Sequence, residues 1–131
     1  MTNSAAKARR RLYLFFLVAW VSLTFLLTSI PHLEVHEDIP FLDKGAHFAF
    51  YGVMGFLCAL WRRESGRPAK RAVLYAVLFV LAVGAVDEIH QYWIPGRSAD
   101  PLDWVADTLG GVIGASLAML LPAVFPFLIT E

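Results

Sequence analysis

Ionisable side chains stand at the ends of otherwise apolar stretches in three places. Asp43, Lys44 and His47 form the first group, Asp87, Glu88 and Gln91 with Arg97 and Ser98 the second, and Asp103 and Asp107 the third. Charge at the rim of hydrocarbon is expensive, so polar groups kept there mark a functional site by default. On a helix, Asp43, His47 and Tyr51 recur every four residues and share one face. A carboxylate one turn before an imidazole orients the ring, which prepares His47 to act as acid, base or anion contact. The competing reading is a helix-start acid and an interfacial histidine that snorkels. Asp87, Glu88 and Gln91 turn together toward a bundle axis while Ile89 and Trp93 face elsewhere. Two adjacent acids repel and require a partner, and Arg97 carries a planar fork suited to carboxylate or phosphate. It either neutralises Glu88 as a structural clamp or holds an anionic ligand. Asp103 and Asp107 are again four apart and precede Gly110 and Gly114, a GxxxG spacing that lets another helix approach closely and would carry Asp107 towards Glu88 or His47. First-turn acids also complement the helix dipole, a role sufficient by itself to explain Asp103.

The elements that position these groups follow from composition. Of 131 residues, 58% are hydrophobic and 17% charged, and the mean hydropathy of +0.60 is that of a membrane protein. Apolar stretches run over 12–30, 46–61, 72–92 and 102–121, each near the roughly 20 residues that span a bilayer at about 1.5 Å per residue. The second reaches that length only by taking in residues 43–45. Alternating strand patterns are absent, so the expectation is an all-α membrane protein, a four-transmembrane-helix bundle with helices at 12–30, 43–61, 72–92 and 102–121. A run of Lys7, Arg9, Arg10 and Arg11 before an apolar stretch resembles a signal peptide, but the stretch is long and lacks a small-x-small cleavage site, so retention as a helix is expected. Nine of the 11 basic residues fall before the first helix or between the second and third, which puts both termini in the cytoplasm. Nine of the 11 acids and all four histidines fall on the opposite, outer half. Residues 1–11 read as a polar cytoplasmic tail, 12–121 as the membrane domain and 122–131 as an interfacial tail after Pro122. Tyr13, Phe15, Phe16 and Trp20 read as lipid-facing or interfacial anchors on a first helix with little polar chemistry. Cys58 is a lone cysteine with a packing role. His32 and His36, four apart, read as a solvated loop pair rather than metal ligands.

Taken together, Asp43-Lys44 with His47-Phe48 and Tyr51, Asp87-Glu88 with Gln91, Pro95-Gly96-Arg97-Ser98, Asp103 and the Gly110/Gly114 pair resemble the VanZ-like family of small bacterial membrane proteins. The resemblance covers roughly residues 40–118, and several spaced motifs together are far more specific than one. It implies a four-helix domain in the bacterial cytoplasmic (plasma) membrane and an association with resistance to the glycopeptide teicoplanin. It supplies no settled reaction. The family often has asparagine where Asp107 stands, so this chain carries an additional charge there.

Two functional classes follow. The first is a binding or protective module of the cell envelope, in which an outward pocket of Asp43, Lys44, His47, Tyr51, Asp87, Glu88, Gln91, Arg97, Ser98, Asp103 and Asp107 captures a lipid headgroup, a lipid-linked wall polymer or a glycopeptide antibiotic. The second is an intramembrane enzyme acting on a lipid headgroup, with His47 and Glu88 as acid and base, Arg97 stabilising negative charge, and a divalent metal among the carboxylates as an option. No other cofactor is indicated. The lack of a nucleophile beyond Ser98 and Tyr51 ranks binding ahead. A proton-coupled transporter is weaker, because no ionisable residue reaches the inner half of any helix. The basic link is an orientation signal and no nucleic-acid partner is expected, whereas a homodimer through the Gly110/Gly114 face or the first helix is compatible with the sequence.

Overall fold

The computed structural model describes residues 2–31, 39 and 41–129. Four helices account for most of them: α1 (Thr2–Thr28), α2 (Leu42–Glu64), α3 (Ala69–Tyr92) and α4 (Pro101–Leu120). Two single 3-10 turns, Leu121–Ala123 and Pro126–Leu128, follow. No strand occurs among the described residues.

Local sequence sets each boundary. The α2–α3 connection is a Schellman turn: Gly66 sits at φ 83, its N–H donates to Arg63, and the Arg67 N–H donates to Arg62. Such a left-handed position suits glycine, and Pro68 then starts α3. At α4, Asp100 caps the first turn by accepting from the Leu102 N–H, with Pro101 at the first helical position. Pro122 ends α4 as expected, and the chain tightens into the 3-10 turns. The N-terminal segment departs from expectation. Residues 2–11 continue α1 rather than forming a tail, because Ala5, Ala6, Lys7, Ala8 and the three arginines are good helix formers. This extension is also tied down: Arg9 donates to the Phe127 carbonyl at 2.8 Å and Tyr13 to the Leu128 carbonyl at 2.6 Å.

Three of the four helices are long and apolar enough to cross a membrane, over Ser4–Thr28, Ala69–Tyr92 and Pro101–Ala123. The less apolar α2 packs against all three others, so its surface need not match lipid. The outer surface is the greasy one: Leu109, Ile113, Leu117 and Leu120 of α4 are exposed while Asp103, Asp107, Gly110, Gly111, Gly114, Ala115 and Ala118 are buried. That inversion relative to a water-soluble bundle, with the three apolar helices, identifies a multi-pass membrane protein.

Successive helices run antiparallel. The start of α1 meets the end of α2, where Arg9 pairs with Glu64 at 3.8 Å, while the end of α1 meets the end of α3 through Thr28 and Asp87. The basic N-terminal turns and the Arg-rich α2–α3 link therefore share one end of the bundle. The acids occupy the other. Phe15 and Phe16 are exposed, as expected of anchors, but Tyr13 and Trp20 turn inward. Trp20 donates from Nε1 to the Phe50 carbonyl at 2.8 Å and stacks on the Phe50 ring, which fixes α1 against α2.

The tightest packing joins α2 and α4. A Cβ built on Gly110 would collide with the Phe48 carbonyl, one on Gly114 with the Gly52 carbonyl, and one on Gly55 would lie 2.5 Å from the Gly111 oxygen. Backbone thus meets backbone along the seam. The Gly110/Gly114 face is filled inside the protomer, which removes it as the surface for a homodimer. Replacing Gly114 by Ala should destabilise the bundle by about 1–3 kcal/mol through overpacking. Gly45→Ala, with nothing within 4 Å, should be neutral or stabilising by up to about 1 kcal/mol. Unfolding of both variants in detergent checks the contrast, and equal stabilities would refute the seam.

Candidate functional site

The glycine seam brings the start of α2 onto the start of α4. Across it, Nδ1 of His47 donates to Oδ1 of Asp107 at 2.8 Å, and Nε2 lies 3.8 Å from Oδ2 of Asp103. The sequence suggested Asp43 as the acid that orients this imidazole. Instead Asp107 does so from another helix, and Asp43 sits at the exposed rim beside Lys44 at 3.3 Å. The Gly110/Gly114 spacing pointed to an approach of Asp107 towards Glu88 or His47, and across the seam it is His47 that Asp107 holds.

From α3, Glu88 completes the centre. Its Oε2 accepts from the Asp100 N–H at 2.9 Å, so the residue that caps α4 also holds the carboxylate. One ligand-type atom each from His47, Glu88 and Asp107 lies within 4.8 Å of the others. Asp107 is fully buried and Glu88 nearly so. Glu88 Oε1 and Asp107 Oδ2 have no hydrogen-bond partner among the described residues.

Beside it is a second, closed network. Asp87 is fully buried and accepts from Thr28 at 2.7 Å, Tyr51 at 3.0 Å and Gln91 at 3.4 Å. Three neutral donors satisfy it, which is the condition for tolerating a carboxyl in an apolar interior. The Tyr51 ring lies parallel to that of His47, at an interplanar angle of 6° and a centroid distance of 6.3 Å. Tyr51 thus supports the imidazole while clamping Asp87.

The two outer cations are both engaged structurally. Lys44 bridges Asp100 at 2.8 Å and Asp103 at 2.9 Å, locking the α2 start to the α4 start. Arg97 neither neutralises Glu88 nor faces the carboxylates: it donates to the carbonyls of Leu27 at 3.1 Å and Ile30 at 3.3 Å. The intervening turn explains this. Pro95 and Gly96, the latter at φ 74, form a bend closed by the Arg97 N–H to the Ile94 carbonyl, with proline first and a left-handed glycine second. The bend returns the guanidinium to the open carbonyl end of α1, where a cation is favourable. Ser98 is exposed.

The structure therefore gathers His47, Glu88 and Asp107, with Lys44 and Asp103 toward the rim and the Tyr51–Asp87–Gln91 network alongside. Thr28 and Asp100 were missed as participants. The first lay on a helix read as having little polar chemistry, and the second is the cap before Pro101. Ser29 and His90 form a further α1–α3 link at 2.8 Å. The Ser29 hydroxyl also donates to the Phe25 carbonyl, so the imidazole is the donor between them. His32 and His36 lie outside the described residues.

Asp100 lies outside the apolar helices, and its carboxyl is held below the ordinary carboxylate range, first by the Lys44 ammonium and then by the Leu102 N–H. A depressed folded-state pKa favours the fold above the unfolded value and loses that contribution as pH falls through the folded one. With Lys44→Met, the Asp100 midpoint followed by carbon NMR should rise toward that of an ordinary aspartate. An unmoved midpoint would transfer the effect to the helix cap.

Comparison with curated proteins found no match, and neither did comparison with solved structures. Residues 8–122 match the VanZ/LLP1 family, a span that contains all four helices but the first turns of α1 and every residue of the site. The chain belongs to the VanZ/LLP1 family.

Proposed function

We propose that the protein binds the headgroup of an envelope lipid, or of a lipid-linked wall polymer, at the acid end of the bundle while the apolar tail stays in the surrounding bilayer. The observation that carries this reading is the buried His47–Glu88–Asp107 group, enclosed by helices whose outer faces are apolar. Polar groups of this density at a membrane boundary are costly unless used. The positive-inside rule, applied to the basic end, directs this site to the cell exterior in a bacterial plasma membrane. A protective role against a glycopeptide such as teicoplanin, suggested by the VanZ resemblance, is compatible with capture either of lipid-linked wall material or of the antibiotic itself.

One observation favours a second reading, headgroup chemistry. The Asp107–His47 pair at 2.8 Å resembles the arrangement that fixes an imidazole for proton transfer, and the unbonded Glu88 oxygen supplies a second acid or base. Engagement of Arg97 elsewhere leaves developing negative charge without the stabiliser first assigned to it.

Extraction of the wild-type protein and of His47→Ala and Glu88→Gln in native nanodiscs, followed by lipid mass spectrometry, tests both readings. Wild type should retain one headgroup class above its share of the bulk membrane. Folded variants should lose that enrichment by about 10–100-fold, the equivalent of one charge-assisted hydrogen bond. Bulk lipid composition around the wild type would overturn the binding reading. A chemically altered lipid that appears with wild type and not with His47→Ala would establish the second.

A further inference from the structure

The centre of the pocket is unbalanced as built. Glu88 is 8% exposed and Asp107 0%, yet each keeps one carboxylate oxygen without a partner. Leaving a buried acceptor unbonded costs about 1–3 kcal/mol, and more when it is charged. The cations that would ordinarily compensate are committed elsewhere, Lys44 to the rim acids and Arg97 to the end of α1. The wall beside one orphan oxygen is also bare. A Cβ on Gly84 of α3 would stand 3.1 Å from Asp107 Oδ2, so any side chain there would crowd the space next to it.

We propose that His47, Glu88 and Asp107 bind a divalent cation, of the class that accepts one imidazole nitrogen with two carboxylates, represented by Zn²⁺ and Mn²⁺. Three observations converge on this. The donor atoms from three different helices already lie within 4.8 Å of one another, and metal–ligand bonds near 2 Å require only a modest contraction. Two carboxylates and a neutral imidazole balance a charge of two. The mixed nitrogen and oxygen set suits Zn²⁺ or Mn²⁺ better than the all-oxygen preference of Ca²⁺. The remaining donors are oriented from outside, as metal centres require: the Asp100 N–H holds Glu88, and Tyr51 stacks along His47.

Three protein ligands leave a coordination position open. Resting on the headgroup reading above, that position takes a phosphate oxygen of the lipid. The ion then supplies the positive charge that the pocket's own side chains lack, and it allows an acidic site to hold an anionic headgroup.

The test uses the full chain in nanodiscs, stripped with chelator and titrated with ZnCl₂ and separately with MnCl₂. Calorimetry and metal analysis after gel filtration should give one equivalent for at least one of the two ions, with a rise in unfolding temperature. Glu88→Gln and Asp107→Asn should each weaken binding by about tenfold or more, a floor set by the effect of losing even outer-shell partners. Thr108→Ala, at a half-buried hydroxyl bonded to the Trp104 carbonyl of its own helix, should bind as wild type does. Should Asp107→Asn fail to fold, Glu88→Gln and the wild-type stoichiometry still decide. The absence of saturable binding to wild type, or undiminished binding to folded Glu88→Gln, would overturn the proposal. Enrichment of lipid without metal would sink the cation alone, whereas metal binding amid bulk lipid would sink only the headgroup reading.

Discussion

Where two helices meet with backbone against backbone, the side chains one turn beyond the contact are forced together, and the site depends on that constraint. Gly110 and Gly114 of α4 lie on the carbonyls of Phe48 and Gly52 of α2. Lipid cannot drive helices together by hydrophobic burial, since its tails are as apolar as leucine. Close van der Waals packing and a few polar bonds must do it. The seam supplies the packing, and it sets the separation at which His47 reaches Asp107. A bulkier contact would hold the helices further apart and separate the imidazole from its orienting acid.

Polar residues are then arranged in groups. At the rim, Lys44 ties α2 to the start of α4 through two acids. In the middle, His47, Glu88 and Asp107 leave two oxygens unbonded. Beside them, Asp87 is satisfied by Thr28, Tyr51 and Gln91. The two groups differ in how far their carboxyls are satisfied. Both contain buried carboxyls, but only the Asp87 network has a complete set of donors.

The four helices were legible because the period and length of the apolar stretches are dictated by a bilayer. The inward turn of Asp87, Glu88 and Gln91 followed from helical spacing alone. Partnerships between helices were only partly legible: the GxxxG spacing pointed Asp107 towards Glu88 or His47 without choosing between them. Asp43 was the local candidate to orient His47, yet the partner is Asp107, 60 positions away. Arg97 looked like the cation for Glu88, but the Pro95-Gly96 bend sends it back to α1. Thr28 seemed an inert hydroxyl until the antiparallel packing brought it to Asp87. Helical periodicity says which face a residue occupies, and only the packing says what that face meets.

The opposite signs at the two ends of the bundle have an electrical consequence. Nine basic residues belong to one end, while Asp43, Asp87, Glu88, Asp100, Asp103 and Asp107 share the other with only Lys44 and Arg97. Any energised membrane acts on such a dipole, at about 2.3 kcal/mol per elementary charge for each 100 mV traversed. Turning the bundle over would drag many charges through that voltage at once, so an inside-negative membrane holds the protein in one sense long after the machinery that inserted it has let go.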